Sequence, residues 1–498
     1  MFAPYIKITP SVFTWLSLSA LSISLLLPAV SLPAKAQIIQ SATPVTSSVA
    51  LPTDDTIDAL IEEIMADRQI PGLSLAVIHD QKLIKTAGYG LLNREQTVKV
   101  RPSSLFPIAS ISKPLTATAI MLLVEDGKID LDAPVSTYLA SAPVTWEGIT
   151  VRHLLTHTAG LSEEVYSQDM GELLSSHGFV AAAGQLPLDF QPGESWMYSN
   201  TGYNLLATIV ENVSEQSFST FLETRIFEPV GMDATDVIRD SYRGSNVAMG
   251  YVSEGSAIEP IDFNFGFVPE IMTLFRGSGS VTSTVLDLAR WAMSLQKGQL
   301  LSAETQAEME QLGLMNSGLA ADYGLGWFIR NINGHQIVSH GGNLWGYSTG
   351  LSQFPDDKLT IVVLTNKDGE QGEDIALKIA EQYIPELVID RNGPALSDSN
   401  PGLTAQLFAF LQGDAAAIAL TPERELSLST PRGSYRIVQW EQYVSRHQVA
   451  ALEVIDQAPH PNGLELYYRI QTSDEVHLLR VVVTPDDLIA GMNVRLDD

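Results

Sequence analysis

A serine and a lysine stand three residues apart at the start of an apolar segment, at Ser110 and Lys113. Residues three apart lie on the same face of a helix, so the lysine amine can reach the serine hydroxyl. Pro114 is tolerated only near a helix start, which predicts that the helix containing 115–124 begins close to Ser110. The N-terminal end of a helix favours negative charge and would stabilise an oxyanion. The pair therefore indicates a serine nucleophile that is activated by an amine.

The chain contains the same four-residue pattern a second time, at Ser294 and Lys297. This copy lies inside a predicted helix, and the companion motifs described below do not accompany it. A pattern this short arises by chance, so Ser294 is predicted to be structural. The hypothesis of a catalytic Ser110 therefore depends on residues further along the chain.

A second candidate motif is Tyr198-Ser199-Asn200, which stands just before a predicted helix. A tyrosine hydroxyl beside Lys113 can be held as a phenolate, or can share its proton, because a nearby cation favours the charged form. Such a pair could take the proton from Ser110 and return it to a leaving group. Asn200 could orient Lys113 and a substrate amide. The alternative is a structural tyrosine whose hydroxyl is satisfied locally.

A third candidate motif is His340-Gly341-Gly342, which is predicted to end a strand. Two glycines allow the close backbone approach that an extended substrate needs when it pairs along a strand edge. The N–H of Asn343, together with that of Ser110, would form an oxyanion hole, and one such donor is typically worth ~10²–10³ in rate. Taken alone, His340 would more often be a turn or packing histidine.

The order Ser-x-x-Lys, Tyr-x-Asn, His-x-Gly resembles the serine β-lactamase-like family, which includes class C β-lactamases, DD-peptidases, D-aminopeptidases and related esterases. The resemblance covers about residues 55–388. Three further stretches are similar to this family: 154–161, 277–291 with its final Asp-Leu-Ala-Arg-Trp, and 323–327 with the sequence Tyr-Gly-Leu-Gly-Trp.

The resemblance implies an acyl-enzyme hydrolase with Ser110 as nucleophile and with Lys113 and Tyr198 as its base pair. It also implies that Asn200 orients the reacting groups and that His340 lies on the substrate-binding strand. No metal or organic cofactor is expected.

The chain departs from class C β-lactamases at the third motif, where they carry Lys-Thr-Gly. A permanent cation there helps to hold a β-lactam or D-Ala carboxylate, whereas histidine is largely neutral near pH 7. We therefore expect a carboxylesterase or a D-amino-acid peptidase of the DD-carboxypeptidase type. The alternatives are a class C-like β-lactamase and a slowly acylating penicillin-binding sensor or scaffold without turnover.

Residues 346–350 match the Gly-x-Ser-x-Gly nucleophile elbow of α/β-hydrolases, with Ser348 at the centre. That motif requires a strand, a sharp turn and then a helix. Here the residues that follow Ser348 are predicted to form a strand, which disfavours this alternative.

His153 and His157 are four residues apart, as in a helical zinc site. Leu154 occupies the position where a zinc hydrolase would need a glutamate. A structural role is therefore predicted for both histidines.

The composition describes an acidic globular protein without cysteine. The 498 residues include 29 basic and 58 acidic side chains, which gives a formal net charge of −29. This balance argues against a nucleic-acid partner, which would need basic patches. The absence of cysteine excludes disulfides, cysteine-based metal sites and thiol nucleophiles. The expected partner is a small-molecule or peptide substrate, and the cell wall or envelope is a candidate surface for association.

Residues 1–36 are predicted to be a secretory signal peptide. Lys7 provides an early positive charge, an uncharged apolar stretch covers about 12–32, and Ala-Lys-Ala before residue 37 is a cleavage site. The protein is therefore predicted to be periplasmic or secreted. An uncleaved membrane anchor is the alternative, because the stretch is close to the ~20 residues that a membrane span needs. Residues 37–52 are predicted to form a flexible leader.

Residues 53–390 are predicted to form the hydrolase domain. Asp54 and Asp55 are expected to cap a first helix, the middle of the domain is mainly helical, and a helix over 373–387 ends it. The architecture predicted is α+β, one antiparallel sheet flanked by helices with an inserted helical subdomain, which is also β-lactamase/transpeptidase-like. Its expected strands are 73–79, 82–88, 325–330, 336–339, 348–354 and 359–364.

Residues 391–402 are predicted to be a linker, and residues 403–498 a small α+β domain that is similar to cystatin-type rolls. None of the candidate catalytic residues lies in this domain, and the sequence leaves its role open. After a helix over 403–411, its expected strands are 435–444, 449–455, 464–471, 476–483 and 488–494.

Overall fold

The computed structural model describes most of the chain after residue 50. The described residues are 51–167, 173, 175–237, 246–254, 257–261, 272, 274–369, 372–473 and 475–495. The predicted signal peptide, residues 1–36, and residues 37–50 of the predicted leader lie outside them. Within the described part of the chain, no helix is both long enough and apolar enough to cross a membrane.

Strands and helices are numbered along the chain, and a 3₁₀ turn, Ala109–Ile111, precedes the second helix. The strands are β1 Gly72–His79, β2 Lys82–Asn93, β3 Val98–Lys99, β4 Phe106–Pro107, β5 Asp236–Val237, β6 Tyr251–Glu254, β7 Ala257–Pro260, β8 Val281–Ser283, β9 Phe328–Ile332, β10 His335–Leu344, β11 Tyr347–Phe354, β12 Leu359–Thr365, β13 Val449–His460, β14 Gly463–Thr472, β15 Val476–Val483 and β16 Ile489–Arg495. The helices are α1 Asp54–Asp67, α2 Ser112–Glu125, α3 Val151–Leu155, α4 Ser176–Gly184, α5 Asn200–Ser214, α6 Phe218–Leu222, α7 Glu228–Val230, α8 Val285–Gln296, α9 Ala303–Met309, α10 Gly372–Ala380, α11 Pro401–Leu411, α12 Pro422–Ser429 and α13 Pro431–Arg446.

The largest sheet has seven strands in the order β3-β2-β1-β12-β11-β10-β9. Its strands come from both ends of the catalytic region, because β1 pairs antiparallel with β12 and places Leu73 opposite Thr365. The chain between β3 and β9 contains α2 to α9 and two small sheets, β4-β8-β5 and β6-β7. The predicted α+β class, with one antiparallel sheet split in sequence by a helical insert, is confirmed.

The side chains of β1 divide the core in two. Successive side chains of a strand point to opposite faces of its sheet. Ala76 and Ile78 belong to the core cluster that includes α2 and α5, whereas Leu75 and Val77 belong to the cluster that includes α1 and α10. Both faces of the sheet are thus covered by helices, and α2 is buried along most of its length.

Some predicted boundaries are corrected. Thr53 is the N-cap of α1, because its hydroxyl accepts the N–H three residues on, and Asp54 and Asp55 lie in the first turn. The helix predicted over 373–387 ends at Ala380. Strands β2 and β10 extend several residues beyond their predicted ends.

The C-terminal region combines the sheet β13-β14-β15-β16 with α11, α12 and α13. Leu403, Leu407 and Leu411 recur at helical spacing on α11 and pack in the core of this sheet. The strand predicted over 435–444 is wrong, because these residues lie within α13. Thr430 caps that helix, and a proline fills its first position.

The C-terminal and catalytic regions contact each other around Asp322. The carboxylate of Asp322 lies 3.1 Å from Nε2 of His460 and 2.7 Å from Nη1 of Arg480. Nearby, the Asn462 amide accepts the N–H of Ala320 at 2.7 Å and donates to its carbonyl at 2.8 Å. Burial alone would raise the pKa of Asp322, but Arg480 and His460 outweigh it and hold that pKa well below 3.8.

We expect Asp322→Asn to lower the free energy of unfolding by about 1–3 kcal/mol near pH 7, because the amide cannot form the ion pair with Arg480. A carboxyl with a depressed folded pKa contributes stability above its unfolded pKa and loses it as the pH falls through the folded pKa. The difference between wild type and variant should therefore shrink below about pH 4. Urea unfolding at pH 7 and pH 3 measures this, and an equal difference at both values would contradict it.

Candidate active site

Ser110 lies in the 3₁₀ turn immediately before α2. The N–H of Ile108 donates to the carbonyl of Val281 at 2.9 Å and so ties this turn to β8. Ala109 has a φ of 47°, a left-handed conformation that is uncommon for a residue with a Cβ. Backbone strain of this kind is concentrated at functional sites and persists only where the surroundings enforce it. The turn therefore holds Ser110 at a fixed point beside the N-terminal end of α2.

The Lys113 side chain is completely buried beneath Ser110. Its Nζ lies 3.2 Å from Oγ of Ser110 and 2.8 Å from Oδ1 of Asn200. The same Nζ lies 2.8 Å from the backbone oxygen of Ser278. Burial, only partly opposed by Glu163, lowers the pKa of Lys113 well below 10.5. The amine is therefore shifted toward its neutral form next to the serine hydroxyl.

Tyr198 forms a triangle with Ser110 and Lys113. Its hydroxyl is hydrogen-bonded to that of Ser110, and Nζ of Lys113 lies 4.6 Å from the centroid of its ring. Burial raises the pKa of Tyr198 above 10.0, and the opposing effects of Ser110 and Arg432 are smaller. Of the two states predicted from the sequence, a phenolate or a shared proton, this direction favours the one in which Tyr198 keeps its proton.

Two side chains hold the Tyr198–Asn200 segment in place. Oε1 of Glu163 accepts the Ser199 hydroxyl at 2.8 Å and the Thr201 N–H at 2.9 Å. Nδ1 of His157 accepts the N–H of Ser199 at 3.0 Å. Neither contact was predicted from the sequence. The only signal there is that both side chains lie in or near the 154–161 stretch that resembles the family.

His340 is buried inside β10 rather than at its end. Its Nδ1 lies 2.7 Å from the carbonyl oxygen of Gly341, so this nitrogen carries the proton and donates. Nε2 then accepts the hydroxyl of Tyr323 at 3.0 Å. Burial, with a smaller effect from Lys113, lowers the pKa of His340 to about 3. The imidazole is therefore neutral, and both of its nitrogens are already hydrogen-bonded.

β10 has an open edge over residues 340–344. Its pairing with β9 ends where Ser339 faces Phe328, whereas its pairing with β11 continues as far as Leu344. Within the described residues, no strand pairs with the outer edge of 340–344. An extended substrate could add itself to an edge of this kind.

The two glycines of the third motif are required by close approaches to their Cα atoms. A Cβ at Gly342 would overlap the carbonyl oxygen of Ile108, just before the nucleophile turn. A Cβ at Gly341 would overlap the carboxylate of Glu373, which accepts the Ser339 hydroxyl at 2.6 Å. Gly342 thus lets β10 lie directly against the turn that carries the nucleophile, and Gly341 makes room for the Glu373 carboxylate.

The structure brings the predicted site residues together at one cavity of about 1070 Å³. The Lys113 amine contacts Ser110 at the cavity wall, and Gly342 packs against the backbone just before the nucleophile turn. The other predicted residues line the cavity directly: Ser110, Tyr198, Asn200, His340, Gly341 and Asn343.

The alternative serines occupy structural positions. Ser294 is buried in α8, where its hydroxyl donates to the Trp291 carbonyl at 2.7 Å. Ser348 lies within β11, and its hydroxyl donates to Oδ1 of Asn343 at 2.9 Å. Because Ser348 is not at a strand-to-helix turn, the nucleophile-elbow alternative is wrong.

Both histidines of the alternative zinc pair accept hydrogen bonds from backbone N–H groups. Nδ1 of His153 accepts the N–H of Thr150 at 3.2 Å, and Nδ1 of His157 is bonded to the segment before α5. Among the described residues, one group could hold a metal ion, and its ligand atoms lie within 4.8 Å of one another in the C-terminal region: His447, Glu475 and His477. These three residues are not among those that line the active-site cavity.

Known proteins agree with this geometry. The β-lactamase family model matches residues 57–384 of the chain. Penicillin-binding protein 4* of Bacillus subtilis (strain 168) is 30% identical over 427 residues, which are 80% of this chain and 92% of that protein. The chain therefore belongs to the β-lactamase family of serine hydrolases, and the resemblance inferred from the three motifs is confirmed.

Two solved structures show how far the likeness extends. The octameric penicillin-binding protein homologue from Pyrococcus abyssi is 25% identical with a TM-score of 0.57, and the match covers 86% of this chain and 90% of that one. D-amino acid amidase from Ochrobactrum anthropi SV3 is 23% identical with a TM-score of 0.57, over 67% of this chain and 98% of that one. The similarity to D-amino acid amidase shows a shared fold.

Proposed function

We propose that the protein is an exported hydrolase that forms an acyl-enzyme at Ser110 and acts on an ester or amide carbonyl. The contacts of the buried Lys113 amine carry this proposal. A neutral amine has two N–H donors and one lone pair. Oδ1 of Asn200 and the carbonyl oxygen of Ser278 can only accept, so they take both donors. The lone pair is then left for the Ser110 hydroxyl, 3.2 Å away.

In the proposed reaction, the Ser110 proton moves to Nζ of Lys113 as Oγ attacks the carbonyl carbon. The N–H groups of Ser110 and Asn343 would bind the oxyanion that forms, each worth ~10²–10³ in rate. Collapse breaks the bond to the leaving group, which receives the proton from Lys113 through the Tyr198 hydroxyl. Water then attacks the acyl ester, releases the carboxylic acid and restores the Ser110 proton.

The remaining site residues would position the two reactants. Asn200 holds Lys113 through its amide oxygen, and we assign its amide nitrogen to the substrate. His340, through Tyr323, would fix the strand on which the substrate lies. Gly341 and Gly342 would keep that strand close to the nucleophile.

Esters and D-amino-acid amides or peptides are the substrates that we favour over β-lactams. A neutral His340 gives no cation at the position where class C β-lactamases carry a lysine. The resemblance of the three motifs to those of DD-peptidases and D-aminopeptidases supports a carbonyl next to a D-amino acid.

Initial rates on p-nitrophenyl acetate, a D-Ala-D-Ala peptide, a D-amino-acid amide and nitrocefin would test this preference. We expect nitrocefin to have a kcat/KM at least about tenfold below that of the best of the others, because no cation beside His340 holds its carboxylate. If nitrocefin were the best substrate, the protein would instead be a β-lactamase. A stable penicillin adduct without turnover of any compound would indicate a sensor or scaffold.

We also propose that residues 1–36 direct export and are removed. The catalytic domain would span residues 53–390, and the linker 391–402 would join it to the cystatin-like C-terminal domain, residues 403–498. The support for export is the charged, apolar and small-residue pattern of the N-terminal segment. N-terminal sequencing of the exported protein should begin at Gln37, and retention of the segment would indicate a membrane anchor.

A further inference from the structure

Two helices of the C-terminal region carry arginines that face the active-site cavity. Arg424 of α12, with Arg432 and Arg436 of α13, lines the same cavity as Ser110. The lining residues of α13 recur at helical spacing, so one face of that helix forms part of the cavity wall. In a chain with a net charge of −29, this wall is a local concentration of positive charge.

Arg432 connects this wall to the catalytic triangle. Its guanidinium carbon lies 5.4 Å from the centroid of the Tyr198 ring, and its Nη1 donates to Oε2 of Glu163 at 3.0 Å. Glu163 is also the acceptor of the Ser199 hydroxyl. The sequence leaves the role of the C-terminal domain open, and the structure shows that this domain contributes a side chain to the surroundings of Tyr198.

Arg424 and Arg436 differ from Arg432 in having no carboxylate partner among the described residues. Burial, together with the nearby Arg436, lowers the pKa of Arg424 to about 10. Burial and the nearby Arg432 likewise lower the pKa of Arg436. Arg424 and Arg436 are partly buried, and positive charges held close together away from bulk water without a counter-ion cost free energy that a bound anion would offset.

The acidic side chains of the same cavity are engaged elsewhere or form no ion pair with these arginines. Asp322 pairs with His460 and Arg480, and Asp374 pairs with Arg68. Glu373 accepts the Ser339 hydroxyl and lies against β10. Glu423 precedes Arg424 in the chain, and one of its carboxylate oxygens is buried without a hydrogen-bond partner in the described part of the chain. The charge of Arg424 and Arg436 is thus available to a ligand.

We propose that Arg424 and Arg436 bind a carboxylate on the leaving-group side of the substrate. This inference rests on the proposed acyl-enzyme function, in which Tyr198 passes a proton to the leaving group. Arg432 lies against the Tyr198 ring. The cavity wall formed by Arg424, Arg432 and Arg436 therefore begins on the leaving-group side of the reacting carbonyl. The planar guanidinium fork suits a carboxylate, and it lies on the C-terminal wall of the cavity rather than on β10, where class C β-lactamases carry their lysine.

A matched pair of esters tests the proposal in the full-length protein. One is benzoyl-D-alanyl-D-lactate, and the other is the same ester with its terminal carboxylate replaced by a carboxamide. The wild type should prefer the carboxylate ester by at least about tenfold in kcat/KM, mostly through KM. Arg424→Gln and Arg436→Gln should each reduce this preference about tenfold.

Arg446→Gln is the matched control, because Arg446 is an exposed arginine at the end of α13 outside the cavity wall. It should leave the preference between the two esters unchanged. Equal kcat/KM values of wild type for the two esters would overturn the carboxylate site. So would Arg424→Gln and Arg436→Gln variants that slow both esters by the same factor, as misfolded protein would.

Failure of the proposed function gives a different result. In that case the wild type hydrolyses neither ester and a fluorophosphonate probe labels Ser110→Ala as strongly as the wild type. Hydrolysis of both esters without preference, by contrast, would agree with the acyl-enzyme function and contradict only the proposed carboxylate site at Arg424 and Arg436.

Discussion

Replacing Ser110 with alanine should reduce ester hydrolysis by about 10⁴-fold or more, to the background rate. The hydroxyl oxygen is the only atom of that side chain that could attack a carbonyl, and Nζ of Lys113 lies 3.2 Å from it. The position of this amine depends on Asn200 and Ser278 rather than on Ser110, so the fold should persist. Initial rates on p-nitrophenyl acetate, with circular dichroism as the check on folding, would measure the effect.

Ser294→Ala is the matched control for that experiment, because Ser294 belongs to the second Ser-x-x-Lys of the chain. Its hydroxyl donates to a backbone carbonyl inside α8, away from the cavity lining. The variant should retain activity within about twofold, with at most a small loss of stability. Labelling by a fluorophosphonate probe should disappear in Ser110→Ala and remain in Ser294→Ala. Labelling that survives in Ser110→Ala would exclude Ser110 as the nucleophile.

The sheet could be predicted from the sequence because its central strands are short apolar runs that can be recognised locally. Residues 72–79 and 359–365 are apolar runs of strand length with turn residues at their ends, and each is buried along its length in the structure. A run that is apolar on both faces must have helices on both faces, which the segments before and after these strands supply. The pairing of these distant segments followed from the need to bury them together.

The helix α13 could not be predicted by the same reasoning, because its residues favour strands. The segment 435–444 contains tyrosine, isoleucine, valine and tryptophan, which have high strand propensity. The signal that was missed lies before it, where Thr430 and Pro431 form an N-cap and a first helical position. Tertiary contacts then decide the outcome, since Trp440 and Tyr443 of this helix pack against the core of the C-terminal region.

The candidate site was predictable where its residues belong to short motifs and not where they meet through the fold. The three motifs, which begin at Ser110, Tyr198 and His340, predict the nucleophile, its neighbours and the strand that binds the substrate. Glu163 and Arg432, by contrast, are 269 residues apart and no local pattern links them. The upward shift of the Tyr198 pKa could not be predicted either, because it depends on burial, which the spacing of residues does not record.

Lys113→Met should lower kcat/KM for ester hydrolysis by about 10³-fold or more, because methionine keeps the length and apolar contacts of the side chain but cannot accept the Ser110 proton. The wild-type rate should also fall as the pH drops through the depressed pKa of Lys113, because the protonated amine has no lone pair. Turnover by Lys113→Met at the wild-type rate would exclude Lys113 as the base.

The same variant should also change how stability depends on pH. Between the folded pKa of Lys113 and its unfolded value near 10.5, the unfolded wild type binds one more proton at this side chain than the folded protein. The free energy of unfolding of the wild type therefore gains about 1.4 kcal/mol per pH unit from this group, and the methionine variant gains nothing there. Urea unfolding of both proteins at a series of pH values up to 10 should show the wild type gaining on the variant as the pH rises above the depressed pKa of Lys113. A constant difference would mean that Lys113 is charged in the folded protein, and that Ser110 must give its proton to another group.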